Sequence, residues 1–245
     1  MPPILFYDIS MKECKELWPG GLRYAGDSVG TDSLALADFA ARTGPGRGVD
    51  LGCGSGILLL LLSSARPETE MVGVELRPRA AEECRANIRA NHMESRCSVI
   101  TGDYRTVPLP RGEADLVVTN PPYFPAGRGG ISPDRDRALM RTESATITEL
   151  CAAACALLRP GGAFCLVHRT ERMAELFSAL AGAGLEPKRL RLVAPDPKSI
   201  PSLFLLEARR DAGPGMTVEP TLFQRGADGR ETAEYRRICH WEEGL

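Results

Sequence analysis

Histidine is scarce in this chain. The three present, His92, His168 and His240, lie far apart and form no HxxxH or HxH pair, so the ligand spacings of a dedicated metal site are missing and no metal is expected. Long apolar runs are also missing. The longest unbroken aliphatic stretch, Ile57 to Leu62, falls far short of the roughly 20 residues of a membrane span. The start, MPPILFYDIS, lacks a basic segment followed by a long apolar one, so a cytoplasmic protein with no membrane partner is expected. The eight cysteines include no CxxC pair and are scattered through a chain long enough to build a core without staples, which predicts reduced thiols. A formal net charge of −2 excludes a surface coated in basic residues for general nucleic-acid binding, while permitting a local basic patch.

What is present is the alternation of β-branched runs with helical patterns that marks βαβ units and a parallel sheet. Strands are expected at Arg47 to Leu51, Glu70 to Glu75, Cys97 to Thr101, Asp115 to Thr119 and Ala163 to His168, followed by a pair near Arg189 to Val193 and Leu203 to Ala208. That last pair has no crossover helix between its members and should be antiparallel. Helices fit Ser55 to Ala65, Arg77 to Asn91, Ser144 to Arg159 and Met173 to Ala183, with a turn expected at Pro160, Gly161 and Gly162. Ahead of the first strand, residues 31 to 43 read as a helix capped by Thr31 and Asp32 and packed against the sheet. The chain divides into an entry segment (1–45), a central α/β domain (46–210) and a Gly-, Pro- and charge-rich extension (211–245) expected to be partly ordered. Cys151 and Cys155, and the Met173, Leu176, Phe177, Leu180 stripe, read as core.

Chemistry enters at Asp50-Leu51-Gly52-Cys53-Gly54-Ser55-Gly56, where a strand runs into a glycine-rich turn that opens a helix. A dinucleotide would call for GxGxxG, so that its pyrophosphate sits on the helix amino terminus. Here the third glycine arrives one residue early. S-adenosyl-L-methionine (SAM) carries no phosphate but has a sulfonium and an ammonium, so its pocket needs carboxylates beside the glycines. Asp50 is one. Glycine at 52 and 54 lets the backbone approach a ligand closely. Glu75, ending the second strand, could accept both ribose hydroxyls, a role that suits SAM and NAD alike. Asp103, after Gly102 at the end of the third strand, could accept from an adenine amine. Three acidic strand ends favour SAM over a phosphate ligand.

Asn120-Pro121-Pro122-Tyr123 follows the apolar strand directly. The prolines stiffen the backbone so that the Asn120 side-chain oxygen and the Pro121 carbonyl can both face one amino group, and Tyr123 can stack on a flat ring. An amine conjugated to a purine is a poor nucleophile because its lone pair is delocalised. Two acceptors on its hydrogens localise that pair, and no general base is required because the methylated ammonium product is acidic.

DLGCGSG, VGVEL, GDY and NPPY together resemble the Rossmann-fold SAM-dependent methyltransferases that modify amino groups on bases or the side-chain amide of glutamine. More narrowly, VGTDSLALADF (29 to 39), the NPPY with Arg141 and Glu143 after it, LLRPGGAFCLVHR (157 to 169) and EPKRLRLV (186 to 193) are similar to the bacterial tRNA adenine-N6 methyltransferases that act beside the anticodon of valine tRNA. The likeness covers about residues 20 to 210. It implies a Rossmann-like α/β fold with a mostly parallel seven-stranded sheet, helices on both faces and an antiparallel edge strand. It implies SAM as cofactor and tRNA as substrate. It places Gly30, Thr31 and Asp32 near the methionine end of the cofactor, with Asp50, Gly52, Gly54, Glu75, Asp103 and Asn120 completing that site.

The tRNA would meet Tyr123, Arg128 and Arg141 in a glycine- and arginine-rich segment (124 to 141) able to close on a splayed-out base. Six basic residues between 186 and 210 (Lys188, Arg189, Arg191, Lys198, Arg209 and Arg210) add a second, modest basic excess. Other readings are a protein glutamine methyltransferase using the same NPPY logic, a DNA adenine methyltransferase, and a SAM- or RNA-binding protein without catalysis. The first lacks its usual preceding helical domain and the second its recognition insertion. The third gives no reason for acceptors aimed at a reacting amine.

Overall fold

The structure is a computed structural model, and it describes residues 15–17, 21–26, 29–44, 46–121 and 146–240. A short antiparallel pair comes first, β1 (Lys15–Leu17) and β2 (Leu22–Tyr24), then α1 (Thr31–Ala40). An alternating run follows: β3 (Arg47–Leu51), α2 (Ile57–Ala65), β4 (Glu70–Glu75), α3 (Pro78–Ala90), β5 (Cys97–Thr101) and β6 (Ala114–Thr119). After it come α4 (Ile147–Leu157), β7 (Leu158–Arg169), α5 (Met173–Ala183), β8 (Leu185–Ala194), β9 (Leu203–Arg210), β10 (Thr217–Phe223) and α6 (Ala233–His240). The main sheet has the order β10-β8-β9-β7-β6-β3-β4-β5.

All seven strands expected from the sequence are present, and the tail adds an eighth, β10, parallel to β8. The antiparallel strand is β9, which pairs with both β7 and β8. It lies on the expected side of the sheet, but β8 and β10 stand outside it, so it is not itself the edge. Pro160, Gly161 and Gly162, expected to form a turn between a helix and a strand, instead lie inside the long strand β7. The register with β6 jumps there, from Ala114 opposite Leu158 to Leu116 opposite Ala163. Gly161 takes a φ of 76°, and a side chain at Gly162 would run into the Ala114 carbonyl, which is why glycine serves at this bulge.

Both faces of the sheet are buried, and successive strand residues alternate between two cores. Ala163, Cys165 and Val167 face α1, α2, α3 and α6, while Phe164 and Leu166 face α4 and α5. Strands sandwiched in this way read as continuous apolar runs. Leu58 to Leu62 of α2 are all buried, and each such side chain contributes roughly 1.5–3 kcal/mol relative to exposure. Cys151 lies fully in the second core and Cys155 packs at its margin. The described cysteines, from Cys53 to Cys239, are free thiols.

The entry segment is held by a device that periodicity does not reveal. Asn87 on α3 and Asn91 just past its end, one turn apart, each satisfy a backbone residue on both sides. Asn87 accepts from Ala25 N at 2.8 Å and donates to Ala25 O at 2.7 Å. Asn91 does the same for Arg23, at 2.8 and 2.7 Å. Two side-chain amides thus substitute for a neighbouring strand. A second amide proton of Asn87 reaches Ser55 O at 2.9 Å, tying the entry segment to the glycine turn. The start of α1 also differs from expectation. Gly30 occupies the cap with no side-chain cap bond, so Thr31 and Asp32 lie in the first turn and do not cap it.

His168, fully buried on β7, accepts the Arg169 backbone N–H on Nδ1 at 2.8 Å. Burial pushes its pKa down to about 4. The unfolded chain takes up that proton near pH 6.5 while the folded one resists it, so stability is lost as the pH falls from about 6.5 to about 4. A His168→Asn variant should show a shallower fall in Tm across that window. An identical slope in the two proteins would show that His168 is not the group responsible.

Candidate active site

The glycine turn is clamped to the end of β4. Gly52 N and Cys53 N both donate to Val74 O, at 2.8 and 3.1 Å, and Gly54 N donates to the Glu75 carboxylate at 2.8 Å. Gly52 and Gly54 have φ of 73° and 55° with open space where a Cβ would stand, so their conformation, and not crowding, calls for glycine. Gly56, with φ of 90°, has a second reason, since a Cβ there would lie 2.5 Å from Cys84 Sγ. The open space over Gly52 and Gly54 faces the carboxyl ends of the strands, where open α/β sheets bind ligands.

Three carboxylates mark that edge on the adjacent strands β3, β4 and β5, and their surroundings set them apart. Asp50 is 1% exposed and neither of its oxygens accepts a hydrogen bond from the described residues. Burial, aided by the nearby Glu75, raises its pKa well above the ordinary carboxylate value. Glu75, also buried, is committed to the protein: besides Gly54 N it accepts Arg77 N at 2.9 Å and Arg77 Nε at 3.1 Å. Asp103, partly exposed, is gripped by Arg105, whose Nε and Nη2 reach its oxygens at 2.5–3.0 Å. That guanidinium holds the Asp103 pKa below the usual range. Arg105 also pairs with Glu149 at 3.0 Å, and Glu149 forms a reciprocal capping box with Thr146 at the start of α4.

β6 is hydrogen-bonded beside β3, with Val118 the register partner of Asp50. Asn120 therefore emerges two residues beyond the level of that buried carboxylate. Thr119 Oγ1 donates to Leu51 O at 2.7 Å and locks the two strand ends together just before it. Asn120 and Pro121 are half-buried, and Asn120 Nδ2 donates to Ser33 Oγ at 2.9 Å. The segment Gly30 to Asp32 thus sits directly ahead of a residue that touches Asn120. Pro122, Tyr123, Arg128 and Arg141 lie outside the described residues.

The basic excess expected between 186 and 210 does not form a surface. Arg189 binds Glu207 at 2.6 Å and Glu219 at 3.0 Å, and stacks over Phe39 at 4.1 Å. Arg191, 5% exposed, binds Glu234 at 2.7 Å. Arg209 binds Glu207 at 2.8 Å, Arg210 donates to the Cys155 and Leu158 carbonyls, and Lys188 to those of Gly213 and Gly215. Only Lys198 of the six is exposed, on the loop after β8 at the carboxyl edge. Spacing along a strand could not show that these cations face acids on β9, β10 and α6.

Sequence reasoning also missed Ser33, Leu76 and Arg105. Leu76, 51% exposed immediately past Glu75, belongs to no helical stripe and is an apolar side chain left in solvent at the end of β4. Among the described residues no group of three potential metal ligands comes together, and no helix is long and apolar enough to cross a membrane.

The family described as methyltransferase small domain matches residues 24–182. A tRNA1(Val) (adenine(37)-N6)-methyltransferase of Tolumonas auensis is 35% identical over 210 residues, which cover 84% of this chain and 86% of the relative. The protein belongs to this methyltransferase family. Other members include proteins of the same description from Cronobacter sakazakii, at 34% identity with 84% of each chain covered, and Porphyromonas gingivalis, at 31% with 86% of each. Among solved structures, one described as a predicted O-methyltransferase from Agrobacterium tumefaciens superposes with a TM-score of 0.70 at 20% identity, covering 87% of this chain and 98% of that one. A geranyl diphosphate C-methyltransferase from Streptomyces coelicolor, solved with S-adenosyl-L-homocysteine, gives 0.55 at 14%, covering 72% of this chain and 80% of that one. At these identities the likeness is one of fold, and it is the Rossmann-like methyltransferase fold read from the sequence.

The residues of the edge suit the methyl donor of such a family. Asp50 is a buried carboxylate with no hydrogen-bond donor among the described residues, a setting that a cation would satisfy, and the glycine turn leaves room for close approach. Asp50→Asn should therefore have two opposed effects. Because the folded-state pKa of Asp50 is raised, the wild type without cofactor loses stability as the pH rises above about 4, and the amide escapes that loss. The Tm gain of the variant should grow between about pH 5 and pH 8, while its affinity for SAM should fall at least about tenfold, the equivalent of about 1.4 kcal/mol. Calorimetry with and without SAM measures both, and a variant that binds SAM as tightly as the wild type would remove Asp50 from the site.

Proposed function

We propose that the protein methylates N6 of an adenine in tRNA, at position 37 of tRNA1(Val) as its relatives are described to do, in the cytoplasm where that substrate is found. The observation that carries this reading is the register that sets Asn120, an amide able to accept from an amine, two residues beyond the partner of the buried Asp50.

Asp50 would lie at the cationic methionine end with Gly30, Thr31 and Asp32, and Gly52 and Gly54 would line the approach. Glu75 would accept from the ribose through the lone pairs that Gly54 and Arg77 leave, and Asp103 from the adenine amine, with Leu76 against the ring. When bound, SAM supplies an electrophilic methyl on a sulfonium. Asn120 Oδ1 and the Pro121 carbonyl accept the two N6 hydrogens of the target base, drawing its lone pair out of conjugation and toward the methyl. Orientation of this kind is worth roughly 7–11 kcal/mol in favourable cases. Tyr123 would stack on the base and Pro122 would hold the turn between them. Arg128 and Arg141 would meet the RNA backbone, joined by Lys198, since the other cations of the carboxy-terminal strands are engaged internally. In this division residues 46–210 would carry the chemistry, Gly30 to Asp32 of the entry segment would lie beside the cofactor, and α6 of the extension buttresses α1 through Arg237 and Asp38, 2.7 Å apart.

Purified protein incubated with labelled SAM and unmodified total tRNA, then digested to nucleosides, should yield N6-methyladenosine. Asn120→Ala should lower kcat/KM roughly 100-fold or more. Label in a protein fraction instead, or undiminished activity of Asn120→Ala, would reject the reading.

A further inference from the structure

Ser33 is an anomaly of α1. On a helix whose neighbouring positions Leu34, Ala35, Leu36 and Ala37 are buried apolar residues, it is a buried hydroxyl, 7% exposed. Serine gains nothing over alanine there by helix propensity, and a buried hydroxyl is retained only where it has a partner. Its partner is Asn120 Nδ2, 2.9 Å away and 87 positions along the chain. The serine is itself fixed: its backbone N–H reaches Gly30 O at 3.1 Å and Asp32 Oδ1 at 2.8 Å, inside the segment assigned to the cofactor.

An asparagine amide has two chemically opposite ends. The Nδ2 end is held at Ser33 Oγ, which fixes where the side chain stands. Because a serine hydroxyl can accept or donate, the bond fixes the place of the amide, and an amide released from it would leave the position at which an amine can be met. We infer that Ser33 is a positioning residue for methyl transfer, holding the Asn120 side chain in place and tying that place to the Gly30 to Asp32 segment. The inference rests on the proposed reaction at Asn120.

The test is a double-mutant cycle in the tRNA methylation assay. Ser33→Ala should lower kcat roughly ten- to hundredfold, as expected for a misplaced reacting group, with the KM for tRNA and the Kd for SAM within about twofold of wild type. Ser33→Thr, which keeps the hydroxyl, should restore most of the loss. In single-turnover measurements, adding Ser33→Ala to Asn120→Ala should cause no further drop, because the serine acts through the asparagine. A Ser33→Ala protein with wild-type kcat, or a loss that multiplies with that of Asn120→Ala, overturns the role. So does a loss that appears as weaker SAM binding with kcat intact. A wild-type protein that methylates no tRNA overturns the functional reading as well, whereas an active wild type beside an unaffected Ser33→Ala overturns the positioning role alone.

Discussion

A carboxylate buried at the end of β3, with no hydrogen-bond donor among the described residues, is the constraint that the other described elements accommodate. Asp50 resists ionisation there, since a charged group out of water and without a partner is strongly disfavoured, and that resistance costs stability once the pH is high enough to ionise the unfolded chain. The surrounding structure holds it there anyway. Val74 and Glu75 clamp the glycine turn, Thr119 ties β6 to β3, and Asn87 fastens the entry segment over Ser55. Each of these bonds places backbone or side chains around one open position. A carboxylate held in this way is a local cost in stability of the kind that functional sites commonly carry.

The three acids of the edge illustrate how one residue type acquires three states. Asp50 is pushed toward neutrality by burial, Glu75 is committed by its hydrogen bonds to the glycine turn, and Arg105 holds the Asp103 pKa below the usual range. Arg105 further reaches Glu149 at the head of α4, so the outer end of the cofactor edge is mechanically joined to the helix that follows the 122–145 segment.

The carboxy-terminal extension changes the picture of what supports the site. Its strand β10 and helix α6 supply Glu219 and Glu234 to Arg189 and Arg191 and bring Arg237 to Asp38 on α1. The three pairs are only partly buried, and what they contribute is an arrangement more than stability. Here the arrangement specified is that of α1 on the sheet, and with it Ser33 beneath Asn120.

The seven central strands, the glycine turn, the acidic strand ends and the NPPY motif were legible in the sequence because each is written locally, in apolar runs, spacing and the residues that punctuate them. Tertiary structure decided the rest. Asn87 and Asn91 look like ordinary helix residues until a strand lies beside them, and the arginines of β8 look like an RNA surface until β9, β10 and α6 bring their acids opposite. Pro160 to Gly162 read as a turn because proline and glycine punctuate chains, whereas the pairing with β6 absorbs them as a bulge. Ser33 and Asn120, 87 residues apart, meet only because α1 folds over the carboxyl edge. Residue chemistry and periodicity travel with the chain, but the partner of a buried polar group is chosen by packing.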